Sequence, residues 1–386
     1  MDAIIVGAGP AGLASAAMLK RQGFHPIVLE RSDQVGSAWR SHYDRLHLHT
    51  HRTRSGLPGH PMPKTYPRYP SRAQVVSYLE DYARNFGIRP LFESEVTSVH
   101  QDQGWSVKAG GKTHRAKVVV IASGPTTTPF SASWPGLDSF PGEVIHSSEY
   151  RNPAAFIDKQ VLVVGFGNSG GEIAIDLVDK GIPTALSVRG PVNVIPQEVF
   201  GIPTTSLVFL QTLFSPAIAD ALTAPVIRAF TGDIEKLGLQ QADKGPVRQV
   251  LEDGRVPLID IGTLARLRDG RLVLRRGIDK IEERKVVFSD GQSDEYDAIL
   301  MATGYRVDLR QMLPDAHDLL SPEGAPLNSG AASGRDGLFF CSFRQSPMGQ
   351  LYAMGQEAQA IAAAAVAHTN RPGAAEAEPG RSDALV

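Results

Sequence analysis

The chain has 386 residues, of which 42% are hydrophobic and 21% charged, and its formal net charge is -2. This length is enough for two domains, or for one domain with a large insertion, and the weak charge provides no basic surface for nucleic acid. The single cysteine, Cys341, excludes an internal disulfide and a C-x-x-C redox pair, so a dithiol reductase is excluded and a cytoplasmic location is expected.

The first predicted element is a strand over residues 2–6, followed by a glycine-rich loop and a helix. The loop reads GAGPAG at residues 7–12, here called the first glycine loop, and an apolar-periodic segment follows over residues 13–21. In such a loop the first glycine permits a tight turn, the second lets the backbone approach a pyrophosphate, and the third lets the helix pack against the strand. The next predicted strand ends in Glu30, whose carboxylate can accept hydrogen bonds from ribose hydroxyls. The pattern predicts a dinucleotide site, which we interpret as an FAD site.

A histidine-rich segment follows in the chain. His47, His49 and His51 alternate and would share one face of an extended segment, a pattern that a metal cluster can have. His42 and His60 supply no clear fourth ligand, so we expect no metal.

The segment between the histidines and residue 124 is predicted to contain a helix and a small sheet. The helix covers residues 73–86, and alternating residues in segments 94–99 and 105–108 indicate antiparallel strands. A further strand over residues 117–121 then runs into an Ala-Ser-Gly turn at residues 122–124.

A second glycine loop repeats the first. It reads GFGNSG at residues 165–170, between a predicted strand over residues 160–164 and a predicted helix over residues 172–180. The position that matches Glu30 in this repeat is Val188, at the end of the return strand, and Arg189 follows it. A carboxylate would repel the 2'-phosphate of NADPH, whereas a guanidinium can bind it through two hydrogen bonds. The second loop therefore predicts an NADPH site, with a solvated surface arginine as the alternative interpretation of Arg189.

The most apolar long segment, residues 206–230, lacks the unbroken run of about 20 apolar residues that a membrane-spanning helix needs. We expect it to form a buried helical pair that lines a domain or tunnel, with a membrane-surface helix as the alternative.

The predicted fold class is α/β, with two dinucleotide-binding, Rossmann-like domains. A strand over residues 297–301 runs into an Ala-Thr-Gly turn, as the strand before residue 122 does, and two such turns indicate crossings between domains. We expect an NADPH-binding domain inserted in a discontinuous FAD-binding domain whose sheet is mostly parallel. The expected bounds are 1–150 and 301–368 for the FAD domain, 151–300 for the NADPH domain, and 369–386 for a disordered tail rich in Pro, Gly, Ala and Glu.

The most specific motif lies between the two glycine loops. Residues 140–150 read FPGEVIHSSEY and resemble the F-x-G-x-x-x-H segment of the flavin-containing monooxygenases, among which the chain is most similar to the plant YUCCA enzymes and their bacterial relatives. Further similarities lie in segments 43–46, 257–264 and 302–306. The related Baeyer-Villiger enzymes place a tryptophan four positions after the histidine, where this chain has Tyr150, and this difference disfavours lactone-forming chemistry.

The resemblance implies an FAD- and NADPH-dependent monooxygenase. Such an enzyme forms a C4a-(hydro)peroxyflavin with dioxygen and inserts one oxygen atom into a small organic substrate. Flavin-oxygen chemistry needs no metal, and the weak charge and the lack of a long apolar run predict no nucleic-acid partner and no transmembrane segment. A homodimer is left open.

Site residues are carried over by matched position. His49 matches the place where animal-type members have an asparagine near the flavin, and it is the candidate catalytic residue. The resemblance assigns to FAD the residues Gly7, Gly9, Pro10, Ala11, Gly12, Glu30, Trp39, Gly124, Thr303 and Gly304. It assigns to NADPH the residues Gly165, Gly167, Asn168, Ser169, Gly170 and Arg189.

Three enzymatic functions remain open at this stage, beside a non-catalytic nucleotide-binding module that would bind FAD without consuming NADPH. The leading hypothesis is oxidative decarboxylation of an aryl 2-oxo acid such as indole-3-pyruvate. The first alternative is N- or S-oxygenation of small amines and sulfides. The second belongs to another class, an FAD-dependent NADPH reductase that performs no oxygenation, and residues 140–150 argue against it.

Overall fold

A computed structural model describes residues 2–126, 128–207, 214–331 and 335–370. The strands are β1 Ala3–Val6, β2 Pro26–Leu29, β3 Val96–Gln101, β4 Trp105–Ala109, β5 Lys112–Ala116, β6 Val118–Ile121, β7 Thr128–Pro129, β8 Glu143–His146, β9 Val161–Val164, β10 Thr184–Val188, β11 Val194–Pro196, β12 Glu198–Val199, β13 Ile202–Pro203, β14 Leu258–Asp260, β15 Leu272–Arg276, β16 Ile278–Glu282, β17 Lys285–Phe288, β18 Ser293–Glu295, β19 Ala298–Met301, β20 Tyr305–Arg306 and β21 Leu338–Phe340. The helices are α1 Pro10–Arg21, α2 Ser37–Arg40, α3 Arg72–Asn85, α4 Asn168–Asp179, α5 Thr204–Leu207, α6 Pro216–Thr231, α7 Pro246–Asp253, α8 Thr263–Arg268 and α9 Gln350–Thr369.

The first parallel sheet has the strand order β2-β1-β6-β21. Its strands are short apolar runs buried on both faces, as expected of parallel strands covered on both sides. Side chains alternate between the faces, so Ile5 packs with α1, α3 and α9, whereas Ile4 packs with the antiparallel sheet β3-β4-β5. The predicted small antiparallel sheet is thereby confirmed.

The second parallel sheet has the order β15-β10-β9-β19-β8. Val161 and Val163 face α4, and Leu162 and Val164 face the antiparallel sheet β16-β17-β18. Strand β8 is an edge strand of this sheet, paired with β19. The second sheet therefore begins before the expected domain boundary at residue 150, because its edge strand consists of residues 143–146.

The chain passes between the two sheets twice, and the passages lie side by side. Strands β7 and β20, which closely follow the two small-small-Gly turns, form an antiparallel pair that we call the crossing ribbon. The amide of Phe130 donates to the carbonyl of Gly304 at 2.9 Å, and the Arg306 guanidinium lies 3.9 Å from the centre of the Phe130 ring. These contacts tie the outgoing passage to the returning one.

Part of the predicted helical pair is present as α6, and residues 208–213 of that pair lie outside the described residues. The inner side of α6 lines a cavity through Thr223 and Ile227, as predicted, whereas Leu222 and Phe230 on its outer side are exposed. The expectation of full burial is therefore wrong for α6. No helix among the described residues is long and apolar enough to cross a membrane. Helix α9 extends through Thr369, and residues 371–386 of the expected tail also lie outside the described part of the chain.

Candidate functional site

The two glycine loops have the same backbone geometry. Gly7 has φ +104° and Gly165 has φ +114°, a region that favours glycine. A Cβ atom at either position would crowd the carbonyl oxygen of the small-small-Gly turn of the same sheet, Ala122 for the first loop and Ala302 for the second. Each loop therefore packs directly against the residue that follows a neighbouring strand, β6 for the first loop and β19 for the second.

The third glycine of each loop permits close packing of helix on strand. A Cβ atom at Gly12 would overlap the carbonyl oxygen of Gly7, and one at Gly170 would overlap that of Gly165. Since these glycines already belong to the helices, α1 begins at residue 10 and α4 at residue 168, earlier than the predicted positions 13 and 172.

The second glycines, Gly9 and Gly167, face open space. Each has ordinary extended backbone angles, and a Cβ atom there would meet nothing within 4 Å. Each is the N-cap of its helix and gives no side-chain cap, so the first helical N–H groups are left for another acceptor. Free amides and the positive end of the helix dipole make both loops suited to phosphate.

Glu30 holds the first loop as well as facing the cavity. Its Oε2 atom accepts the amide of Ala8 at 2.6 Å, and Oε1 accepts the amide of Ser32 at 3.0 Å and its hydroxyl at 2.9 Å. Glu30 is 5% exposed and lines the cavity, and its predicted contact with ribose hydroxyls stays a prediction. The anchoring of the loop by Glu30 was not predicted from the sequence.

A cavity of about 680 Å³ begins at the first glycine loop and reaches the second domain. Trp39 and Gly124 line it, as the resemblance implied. The buried hydroxyl of Ser123 also faces this region and has no hydrogen-bond partner among the described residues. A cavity with an unpartnered hydroxyl beside an open phosphate loop fits a bound dinucleotide.

The start of α9 is a part of the site that sequence analysis missed. Gly349 and Gln350 line the cavity at the first turn of this 20-residue helix, which has no side-chain cap. A Cβ atom at Gly349 would lie 2.7 Å from Thr50, so glycine is needed where the helix meets the histidine segment. The positive end of α9 therefore faces the cavity. The sequence signal that could have identified this part of the site is the glycine, Gly349, directly before a long apolar helix.

The second loop contributes two side chains to the cavity wall, Asn168 and Ser169. The amide oxygen of Asn168 accepts the N–H of Ile259 at 2.8 Å, so this side chain pins β14 to α4. Asn168 thus has a structural contact in addition to the predicted contact with NADPH. The loop glycines and Arg189 lie outside the cavity wall.

Two arginines stand at the carboxyl ends of adjacent strands in the second sheet. Arg189 follows β10 and is exposed. Its side chain packs against Gly277, where an added Cβ atom would lie 3.2 Å from the Cγ atom of Arg189. Arg276 ends β15 opposite Val188. Among the described residues, neither guanidinium has a hydrogen bond or an ion pair. Sequence analysis identified Arg189 but missed Arg276, whose position depends on the pairing of β10 with β15.

Thr303 and Gly304 lie beside the crossing ribbon. They follow β19 of the second sheet, where the Thr303 hydroxyl donates to the carbonyl of Phe130 and the Gly304 carbonyl faces His146. Neither lines the cavity beside the first loop. They stand directly before β20 of the crossing ribbon, and their assignment to FAD stays a prediction.

His146, the histidine of the F-x-G-x-x-x-H segment, supports the same ribbon. Its Nε2 atom lies 3.0 Å from the Gly304 carbonyl, which can only accept, and its Nδ1 atom accepts the amide of Ser148 at 3.1 Å. Burial lowers the pKa of His146, which favours the neutral ring that this pattern requires. The motif histidine therefore has a structural role within the second sheet, where it joins the end of β8 to the residue that precedes β20.

The alternating histidines have separate partners. His47 contacts the Arg45 carbonyl, His49 contacts the Glu172 carboxylate, and His51 contacts Thr53. Within the described ranges, no group of three His, Cys, Asp or Glu side chains is placed to hold a metal ion. His49 lines the cavity, as the candidate catalytic residue should.

Comparisons with known proteins agree with this geometry. The model of the FMO-like family, described as flavin-binding monooxygenase-like, matches residues 2–315. A similar relative is the indole-3-pyruvate monooxygenase YUCCA1 of Oryza sativa subsp. japonica, 37% identical over 352 residues, which are 89% of this chain and 86% of the relative.

Two solved structures share the fold. The flavin-containing monooxygenase from Stenotrophomonas maltophilia has a TM-score of 0.73 and 21% identity and covers 95% of this chain and 98% of its own. A cyclohexanone monooxygenase mutant from Rhodococcus sp. Phi1, bound to NADP+, has a TM-score of 0.72 and 18% identity and covers 96% of this chain and 86% of its own.

Proposed function

The chain belongs to the flavin-binding monooxygenase-like family, whose enzymes depend on FAD and NADPH, and from this premise we propose that it oxidatively decarboxylates an aryl 2-oxo acid such as indole-3-pyruvate. In this reaction the carbonyl carbon gains one atom of dioxygen, and the neighbouring carboxyl group leaves as carbon dioxide. NADPH supplies the two electrons that reduce the other oxygen atom to water, and the second hydrogen of that water is a proton from solvent. The observation that carries the proposal is 37% identity to an indole-3-pyruvate monooxygenase across 89% of this chain.

We assign the first domain to FAD and the second, beginning with β8, to NADPH. When bound, the cofactors supply hydride transfer and the activation of dioxygen. The first glycine loop and Glu30 would bind the pyrophosphate and a ribose, and Trp39 would exclude water on the flavin side. His49, at the cavity wall, would hold or move a proton at its imidazole. His42, also at the wall, favours the neutral form because burial lowers its pKa, with smaller contributions from Arg151 and Arg72.

The end of the cavity in the second domain has apolar walls. They come from α6, α7, β11, β14 and the connection between α7 and β14, through the side chains of Ile195, Ile227, Val247, Val250, Val256 and Ile259. Apolar walls favour an aromatic ring, because its burial is worth about 25 cal/mol per Å² of apolar surface. This surface supports an aryl substrate.

The central test is conversion of indole-3-pyruvate by the FAD-loaded protein. We expect close to one indole-3-acetate per NADPH oxidised, with one oxygen atom from labelled dioxygen in the new carboxylate. Catalase must be present, because released peroxide decarboxylates 2-oxo acids without an enzyme. The absence of indole-3-acetate above the enzyme-free control would reject this substrate.

Thr205 is the polar group best placed to orient the substrate. Its hydroxyl lies in the apolar end, the residue is 8% exposed, and the hydroxyl has no hydrogen-bond partner among the described residues. Thr205→Val keeps the shape and removes the hydroxyl, so we expect the KM for indole-3-pyruvate to rise about tenfold, the effect of one lost hydrogen bond. The KM for NADPH should not change.

Thr223→Val is the matched control for Thr205. The Thr223 hydroxyl also lines the cavity, but it already donates to the Ala219 carbonyl of its own helix at 2.9 Å. We expect the KM of Thr223→Val for indole-3-pyruvate to change about twofold at most. Equal KM values for the two variants would show that Thr205 does not contact the substrate.

N- or S-oxygenation is the second candidate, and one feature of the cavity favours it. Among the described residues, the apolar end has no lysine or arginine to pair with a carboxylate, and the charged side chains Glu30, Arg31, Glu95 and Asp308 lie toward the first domain. A neutral sulfide would need no such pairing. A higher kcat/KM for aryl sulfides than for indole-3-pyruvate would favour this function.

A further inference from the structure

Helix α4 presents three carboxylates to the histidine segment of the first domain. Glu172, Asp176 and Asp179 are spaced by four and three residues and therefore share one face of the helix. Asp179 pairs with Arg45 at 3.2 Å, and Asp176 accepts the Tyr150 hydroxyl at 2.9 Å. Arg45 thus fastens the segment to α4 without Glu172, whereas Tyr150 contacts α4 from the residues that follow β8.

Glu172 differs from the other two carboxylates because it is buried. Its side chain is 2% exposed and contacts the Nε2 atom of His49, whose side chain is 14% exposed. The second carboxylate oxygen, Oε2, has no hydrogen-bond partner among the described residues. Burying a carboxylate is costly unless it is paired, and His49 is its hydrogen-bond partner in the structure.

The pair lies between the two glycine loops. His49 lines the cavity, whereas Glu172 lies behind it, on the first turns of the helix that begins at the second loop. The phenol of Tyr43 lies close to Glu172 and to Ser169 of that loop. Burial, together with the charge of Glu172, raises the pKa of Tyr43, so the phenol stays protonated. The other charged groups nearby are Asp176 on α4 and Arg45 on the segment.

We propose that Glu172 is the positioning residue for His49: it accepts the Nε2–H of the imidazole and so fixes one tautomer, which leaves Nδ1 as the nitrogen available to the cavity. A carboxylate behind a histidine orients the ring by this means. The pair joins the first domain to the helix that begins at the second glycine loop, so His49 is held in the cavity wall at the junction of the two domains. This inference rests on the proposed role of His49 and adds the residue through which that role is maintained.

A double-mutant cycle tests whether Glu172 acts through His49. The measured quantity is the rate constant of FAD reduction by NADPH without oxygen, in Glu172→Gln, His49→Ala and the double variant. We expect Glu172→Gln to slow reduction about tenfold when His49 is present, and less than about twofold in the His49→Ala background. The same factor in both backgrounds would overturn the proposal.

A second readout reports the histidine itself and needs no turnover. In the chain with ¹⁵N-labelled histidine, we expect the His49 signal, identified by its loss in His49→Ala, to show a protonated Nε2 and an unprotonated Nδ1. Glu172→Gln should produce a mixture of tautomers. The same tautomer in wild type and variant would contradict the proposal.

Two further variants distinguish a specific effect of Glu172 on His49 from a general loss of folding. Glu172→Asp keeps the charge but shortens the side chain by one methylene, so it should slow reduction as Glu172→Gln does. Asp176→Asn changes a carboxylate on the same helix face without contact to His49, and reduction should stay within about twofold of wild type. A loss in Asp176→Asn equal to that in Glu172→Gln would instead indicate a general interface effect and overturn the proposal. Failure of indole-3-pyruvate as substrate leaves these measurements unaffected, because none of them uses an organic substrate.

Discussion

Gly9→Ala is expected to abolish FAD binding without harming the fold, and Gly167→Ala is expected to abolish reduction by NADPH while FAD stays bound. A Cβ atom at either position meets no protein atom within 4 Å, and both backbones are in an extended conformation that alanine adopts readily. Alanine should therefore leave each loop intact, and removing a glycine can even stabilise the folded chain by about 0.4–1 kcal/mol. The added methyl group would lie only where a pyrophosphate would approach.

The expected loss of cofactor affinity is at least about 100-fold, the equivalent of one or two charge-assisted hydrogen bonds. FAD content is measured by absorbance after gel filtration, NADP+ affinity by titration, and folding by thermal unfolding of the chain without cofactor. Each variant is the control for the other, because their protein environments match. Loss of FAD in Gly167→Ala, with Gly9→Ala unaffected, would reverse the assignment of the two loops.

Replacing Arg189 and Arg276 together is expected to remove the preference for NADPH over NADH. Both guanidiniums stand at the carboxyl ends of adjacent parallel strands, and neither pairs with another described residue. A hydrogen bond to a charged group contributes about 1.5–3 kcal/mol, so each arginine on the 2'-phosphate should contribute roughly a factor of 10 to 100 in kcat/KM. The kcat/KM for NADH should change little, because NADH lacks that phosphate.

Arg275→Ala is the matched control for this pair. Arg275 lies one residue earlier in β15, where its side chain pairs with Asp294 on β18, and its loss should leave the NADPH preference in place. The measurement is kcat/KM for each nicotinamide in the single and double variants. An equal preference for NADPH over NADH in wild type and in the double variant would show that Arg189 and Arg276 do not bind the 2'-phosphate.

The parts of the site that were predicted correctly depend on local backbone chemistry. A strand, a glycine loop and a helix are neighbours in the chain, so the sequence itself shows that the turn needs glycine. Gly7 and Gly165 both have positive φ in the structure. The same holds for Glu30 at the end of the next strand. The family assignment rests on motifs of this local kind.

The parts that were missed depend on contacts between distant residues. Glu172 meets His49 across 123 residues of chain, and Asn168 pins Ile259 across 91. Arg276 becomes a neighbour of Arg189 only because β10 pairs with β15. No periodicity or spacing within a segment reports such pairs.

The sequence alone therefore determined the two glycine loops with their flanking strands and helices, and the family, because each follows from residues that are adjacent in the chain. Only the tertiary structure decided that residues 143–146 belong to the second sheet and that Thr303 and Gly304 contact Phe130 beside the crossing ribbon. It also decided that a buried carboxylate stands behind His49. The physical reason is that strand pairing and side-chain burial are set by which surfaces meet when the two sheets pack, and segments far apart in the chain supply those surfaces.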